Sequence, residues 1–326
     1  MSGSDLPYHL RQNKTVDRDI FFSLLANLDL SIPINKYSYI GLGGPMLEDF
    51  RILHQGLGLT SLESIEKDPA TFSRQKFNRP YRCINCEKLN TSEYIDNFDR
   101  AEPSIVWLDY TKPSWQPQFN DIHALLSKLD AYDILKVTFN ANPEVLKKKS
   151  DIDSEPLDIF LQKAGGKFTS RNMKENDVKT MPRLSASLAE IFQTVTESAL
   201  DVCSDLTFVP LLLFRYTDNR HHMLTITGIV MPKSDDRCHT NLLKELGLEH
   251  WGELSLDWKD IKLIDLPDLT SREKLFINSS LPHDNGDFDY ESLPFQIDKN
   301  IERNKLILDN YLKYYRFSPS FQRTTY

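Results

Sequence analysis

Three short stretches carry residues whose types and spacing could do chemistry. Gly41-Leu42-Gly43-Gly44 follows an apolar run, Tyr37 to Ile40, and leads through Pro45 into a helical pattern with Met46, Phe50, Leu53 and Leu57 on one side. Glu66-Lys67-Asp68 closes a second strand-like run, Leu59 to Ile65, and Asp109-Tyr110 closes another, Pro103 to Leu108. Glycines permit a tight turn and a close backbone approach to a ligand, which a Cβ would block. An acid ending the next strand can accept hydrogen bonds from ribose hydroxyls, and Gly44 to Glu66 is about the 20-residue separation that this requires. The distant third glycine of a dinucleotide fingerprint is missing, because Glu48 or Asp49 falls near its place, and no GK[ST] element is present. A carboxylate-rich helix start repels a pyrophosphate. An adenosine bearing an amino-acid tail suits the stretch better, which points to S-adenosylmethionine. Gly41, Gly43, Gly44, Glu66 and Lys67 are therefore cofactor-binding candidates.

The elements that must position these residues can be read around them. A third strand, Tyr81 to Cys86, stops near Glu87, and a fifth, Tyr132 to Phe139, ends in Asn140, Asn142 and Pro143. In open α/β sheets ligands sit beyond the carboxyl ends of the strands. Gly41, Glu66, Glu87 and Asp109 occupy that place on four strands, and their coincidence is more informative than any one of them. Asp109 is the candidate for orienting or deprotonating a methyl acceptor, and Tyr110 for walling the methyl. Helices are expected at Asn90 to Phe98 with Thr91 or Ser92 as cap, at Asp121 to Leu129 and at Leu184 to Cys203. An N-terminal helix with Ile20, Phe21, Leu24, Leu25 and Leu28 on its apolar face is expected to be capped by Asp17 or Thr15. Before it, Tyr8 to Lys14 reads either as a solvated arm or as a clamp, with Arg11 and Lys14 on a ligand carboxylate or on nucleic-acid phosphate. Thr207 to Tyr216 and His222 to Met231 form a β-hairpin through Thr217-Asp218-Asn219-Arg220.

Bulk properties narrow the classes. A net charge of −8 argues against a globally basic nucleic-acid-coating protein. A local basic groove stays open, since affinity depends on where charges lie. Lys147-Lys148-Lys149 reads as a solvated helix end, with a phosphate contact as the alternative. The first residues lack the apolar core of a secretory signal, and no run approaches 18 apolar residues, so a cytoplasmic protein with no membrane span is expected. Cys83-x-x-Cys86 has no second CxxC or HxxxH at finger spacing, and His221, His222 and His239 lie far off, so reduced thiols and no metal are expected.

The whole reads as α/β: a Rossmann-like, seven-stranded class I methyltransferase sheet, parallel with an antiparallel terminal hairpin, plus a small C-terminal appendage. Residues 1–235 would hold the sheet with its N-terminal helix and a charged insertion near 144–183, and residues 236–326 an α+β appendage. In the latter, Asp260 to Ile264 is strand-like, Thr270 and Glu273 have capping-box spacing, and the long helix from Ile297 to Tyr315 ends in an aromatic cluster read as packing.

YHLRQNKTVDRDIF, YSYIGLGGPMLEDFRILHQGLGLTSLESIEKD, FNRPY and IVWLDY resemble the bacterial "putative O-methyltransferase" family, some of whose members are encoded near anti-phage defence genes. The resemblance implies a class I S-adenosylmethionine-dependent methyltransferase with antiviral defence as a possible setting. It implies that Gly41, Gly43 and Gly44 line the methionine end of the cofactor, that Glu66 holds the ribose, that Glu87 or Asn85 lies near the adenine, and that Asp109-Tyr110 faces the transferred methyl. Two features depart from the wider class. No strong acid precedes Gly41 on the first strand, and Asp109-Tyr110-Thr111-Lys112 is not the (D/N)PP(Y/F) motif of nucleic-acid amino-methyltransferases. The rival reading is a non-catalytic module that senses S-adenosylmethionine or a nucleotide and reports to a protein partner through the appendage. Nucleic acid is the less favoured partner, and the acceptor is not named by the sequence.

Overall fold

The computed structural model describes residues 11–99, 102–147, 155–201, 205–218, 221–233, 243–249, 251–282 and 288–319. Tyr8, Lys148, Lys149, Cys203, Cys238 and the hairpin turn at Asn219-Arg220 lie outside the described residues.

Eight strands form one sheet: β1 (Ser38–Gly41), β2 (Ser61–Ile65), β3 (Ile84–Glu87), β4 (Ser104–Asp109), β5 (Ile134–Asn140), β6 (Leu206–Asp218), β7 (His221–Pro232) and β8 (Lys262–Ile264). Their order is β3-β2-β1-β4-β5-β7-β6-β8. The first five pair in parallel, β7 lies antiparallel between β5 and β6, and β8 pairs in parallel with β6. The expected parallel sheet with its antiparallel hairpin is present, with eight strands rather than seven. The extra strand is the Asp260–Ile264 run, whose last three residues cover the outer edge of β6, so that its unpaired N–H and C=O groups find partners.

Helices cover both faces. On one lie α1 (Gln12–Leu28), α2 (Glu48–Leu57) and α9 (Ile301–Tyr314), which bury Phe21, Phe50 and Tyr311 among others; the Thr270 capping box opens α8 (Ser271–Asn278) nearby, and its Ile277 joins the same core. On the other lie α4 (Thr91–Asp96), α5 (Trp115–Leu126), α6 (Pro156–Ala164) and α7 (Met181–Asp201), with Ile95, Phe119, Phe160 and Phe192 inside. Sandwiched this way, β5 is buried at all seven positions, as a central parallel strand should be. α3 (Pro69–Asn78) follows β2 and is capped by Asp68, whose side chain accepts from the Thr71 N–H. The expected packing role of the C-terminal aromatics holds for Tyr311 and Tyr314, both fully buried.

The expected starts at Leu184 and Ile297 shift to Met181 and Ile301, and three others move for an evident local reason. α1 begins at Gln12, so Thr15 and Asp17 lie inside it rather than capping it, and Asp17 is fully buried. α5 begins at Trp115, six residues before Asp121, because the buried indole N–H donates to the Asn140 carbonyl at 3.0 Å and fixes the first turn. Asn90, not Thr91 or Ser92, caps α4 and forms a capping box with Glu93.

Candidate functional site

The carboxyl ends of four adjacent strands bring the expected residues to one edge. Gly41 ends β1, Glu66 follows β2, Glu87 ends β3 and Asp109 ends β4. The Glu66 N–H donates to the Glu87 carbonyl at 3.0 Å, and Gly41 lies in register with Ser64 and Trp107 of its neighbours. Four strands spaced about 4.8 Å apart span roughly 14 Å, room for a nucleoside with a short tail laid across them.

Gly43 sits where a Cβ would come within 2.6 Å of Phe50 Cε2, 2.7 Å of Ser64 Oγ and 2.9 Å of Leu47 Cδ2. Its glycine is therefore required by close packing of the turn on α2 and β2. The left-handed conformation of this turn falls instead on Leu47, with φ 51°, just before α2. The half-buried Glu66 accepts from the Asp68 N–H at 2.7 Å, and burial is the main cause that pushes its carboxyl above the usual range, against the lowering effect of that bond. Asn85, the alternative to Glu87 as the residue expected near the adenine, donates to Glu87 at 2.7 Å. Lys67 is exposed beside Glu66.

The other half of the edge is covered by the start of α1. Arg11 pairs with Asp218 at 3.0 Å, Lys14 with Asp109 at 2.9 Å, Arg18 with Asp49, and Lys136 with Asp17 at 3.0 Å. Gln12 donates to the Pro267 carbonyl, and Asn13 bridges the Thr217 carbonyl and the Leu266 N–H. The expected clamp residues Arg11 and Lys14 thus hold protein carboxylates. Lys136 and Asp17 are wholly buried; the ammonium also lies 5.0 Å from the Phe21 ring and 4.8 Å from the Trp107 ring, and Thr225 donates to the same Asp17 oxygen. Burial alone would raise the Asp109 carboxyl, but Lys14, Arg18 and Lys136 outweigh it and hold the group below the usual carboxylate range. Among the described residues its second oxygen, Oδ1, is buried with no hydrogen-bond partner, as is the hydroxyl of Tyr216 on β6. Burial, reinforced by Asp17, Asp109 and Asp218, raises that phenol well above its ordinary value.

The family model described as "putative O-methyltransferase" matches residues 6–326. The chain belongs to that family. No curated protein matches it. Among solved structures, the plantazolicin methyltransferase BamL in complex with a triazolic desmethylPZN analog and SAH is similar at 10% identity over 66% of this chain and 84% of that one, with a TM-score of 0.40. The N-methyltransferase NodS from Bradyrhizobium japonicum WM9 is similar at 12% identity over 67% and 97%, with a TM-score of 0.39. The fibrillarin/Nop5p complex is similar at 11% identity over 60% and 73%, with a TM-score of 0.34.

Within this O-methyltransferase-family chain, the structure separates the two residues at the end of β4. Asp109 faces α1, whereas Tyr110 turns to the α5 face, donates to Asp121 at 3.3 Å and stacks on Phe139 at 6.4 Å between centroids. Alternation along a strand requires this. Cys83 lies 3.5 Å from His54 Nδ1, and among the described residues no group of three or more His, Cys, Asp or Glu could hold a metal ion. Lys147 is exposed and pairs with Glu144. Among the described residues no helix is long and apolar enough to cross a membrane. The reading of the sequence missed Asp17, Arg18, Lys136, Tyr216 and Asp49. One signal was available: Lys136 interrupts the apolar strand YDILKVTF, where an unpaired charge would be costly.

Proposed function

We propose that this protein binds S-adenosylmethionine across the carboxyl ends of β3, β2, β1 and β4 and transfers its methyl group to an acceptor. One observation carries the reading: Glu87, Glu66, Gly41 and Asp109 line up on four adjacent strand ends of a sheet ordered β3-β2-β1-β4-β5-β7-β6-β8, in a chain of an O-methyltransferase family. The residues fit a phosphate-free ligand, because this edge presents carboxylates to hydroxyl and amino groups and the Gly43 turn packs too tightly to carry a side chain.

When bound, the cofactor supplies an electrophilic methyl on a sulfonium. Backbone at Gly41, Gly43 and Gly44 would line its amino-acid end, with the exposed Lys67 available to a carboxylate, whereas the buried Lys14 is held by Asp109. Glu66 would accept from ribose hydroxyls, and Glu87 with Asn85 would meet the base. Asp109 is ionised and weakly basic, so its role is to orient the acceptor by accepting a hydrogen bond rather than to remove a proton. The Tyr110 ring would wall the site through its packing on Phe139. Alignment and exclusion of water are the main tasks in such a displacement.

Titration calorimetry with S-adenosylmethionine and S-adenosylhomocysteine, beside Glu66→Ala, tests the reading. Micromolar binding that the substitution removes is expected. Absence of heat with either ligand from folded protein overturns it. The defence setting carried by the resemblance joins the proposal, and is checked by phage plaquing on cells with and without the Glu66→Ala variant. A cytoplasmic location belongs with it and is checked by cell fractionation.

A further inference from the structure

The acidic balance of the chain conceals a segregated basic surface. Residues 163–183 contain Lys163, Lys167, Arg171, Lys174, Lys179 and Arg183 against Glu175 and Asp177. That is a net +4 in a chain of −8, which leaves −12 for the remainder. The two acids are turned to the backbone: Glu175 accepts from the Leu157 N–H at 3.1 Å and Asp177 from the Lys174 N–H at 2.8 Å. All the cations except the half-buried Lys163 are exposed, and among the described residues none of the six is in an ion pair. This contrasts with the cations of α1, which are spent on internal carboxylates. The segment also shows the hydroxyls of Ser170 and Thr180, while that of Thr169 donates to the Gly165 carbonyl at 2.8 Å, and Glu190 of α7 is the carboxylate at its border.

The place of the segment in the fold bears on the candidate site. Gly165 packs on Gln116 at the start of α5, the helix that follows Asp109-Tyr110. At its other end Met181, which opens α7, contacts Arg215 near the carboxyl end of β6 at 3.9 Å. The surface therefore runs over the α5–α7 layer up to the edge where the methyl acceptor would enter.

We propose that residues 163–183 bind the phosphate backbone of a nucleic acid, and that the acceptor is presented on it. The second clause rests on the methyltransferase reading; the first does not. Exposed Lys, Arg and hydroxyl groups spaced along one continuous segment suit successive phosphates, whose contacts position a strand without reading its sequence. Such binding weakens linearly in log–log terms with salt, by a slope of about 0.7 per phosphate neutralised on a single strand.

The test is fluorescence anisotropy of full-length protein with a labelled single-stranded RNA, and separately a DNA, of about 20 nucleotides, across a salt series, with poly-aspartate as competitor. K167E/R171E/K174E is compared with K244E/K259E/K299E, which makes the same charge change at exposed lysines elsewhere. At least a tenfold loss of affinity and a shallower salt slope are expected for the first variant, with wild-type binding for the second. Equal loss in both variants, no binding by wild-type protein at low salt, or a polynucleotide complex displaced equally by poly-aspartate overturns the proposal. Circular dichroism confirms that both variants fold. Calorimetry with S-adenosylmethionine on the same samples separates the readings: lost cofactor binding with intact oligonucleotide binding refutes the methyltransferase reading alone.

Discussion

Two carboxylates on one sheet edge behave in opposite ways. Glu66, just past the end of β2, is half-buried and among the described residues has no ion-pair partner, and burial raises its carboxyl. Asp109, two strands away, is more deeply enclosed, yet Lys14, Arg18 and Lys136 pull it down. The β3–β2–β1 side of the edge keeps its polar groups available to a ligand, whereas the β4–β5–β7–β6 side spends its charges on one another beneath α1. One half is built to be completed from outside, and the other is completed by the fold itself.

If that division is right, the largest effect belongs to the closed half. Removing one partner of a buried ion pair leaves an uncompensated charge and costs about 3–5 kcal/mol, whereas replacing both by apolar groups is often close to neutral. Lys136→Met is expected to destabilise by that amount in urea unfolding, and Lys136→Met combined with Asp17→Leu to recover most of it. A single substitution within about 0.5 kcal/mol of wild type breaks the comparison, since it would show the pair to be hydrated.

The division also explains what could be read from the chain alone. The glycine turn, Glu66, Glu87 and Asp109 announce themselves because each stands beside its own strand in sequence, and the βαβ order places them on one edge. The ion pairs under α1 join residues far apart: Arg11 to Asp218, Lys14 to Asp109, Asp17 to Lys136. No local pattern specifies such partners, so Arg11 and Lys14 read as ligand clamps and Asp17 as a cap. The eighth strand was legible as a strand, but its parallel place beside β6 is tertiary information. The direction of Tyr110 follows from alternation, yet only once the partners of β4 are known.

Asp109 stands at the border of the halves and should show both behaviours. Asp109→Asn is expected to lower methyl transfer at least a hundredfold, about 2.7 kcal/mol, with cofactor affinity changed less than about threefold. It also leaves Lys14 less well compensated, so stability falls too; adding Lys14→Met should restore stability but not activity. Because the folded-state carboxyl is held low, its contribution to stability is fully present above the unfolded value near 4 and is lost as pH falls through the folded one. Acid unfolding of Asp109→Asn should therefore be less steep than that of the wild type. An unchanged acid limb would remove the lysine–carboxylate pair from the account.

A smaller effect is expected at Glu66, with the sign reversed. Its raised carboxyl takes up a proton at higher pH than an ordinary glutamate. Only the ionised form accepts hydrogen bonds at both oxygens, so cofactor affinity should fall on acidification through that raised value, while Asp109 is still ionised. Glu66→Gln should bind about tenfold more weakly at pH 7 and lose this pH dependence. Calorimetry from pH 7 down through the ordinary glutamate range, to about pH 4, measures both. A wild-type affinity flat over that range places the ribose contact elsewhere.

The smallest effect sharpens the line between the faces of β4. The Tyr110 hydroxyl is bound to Asp121 on the α5 face, and the ring is held by Phe139. Tyr110→Phe keeps the ring and removes one hydrogen bond, worth about 1 kcal/mol of stability. Methyl transfer should stay within about twofold, whereas Tyr110→Ala, which removes the wall, should lose more. If Tyr110→Phe instead costs as much activity as Asp109→Asn, the hydroxyl acts in the chemistry. The α5 face would then belong to the site, and the separation of Asp109 from Tyr110 across the strand would no longer mark its boundary.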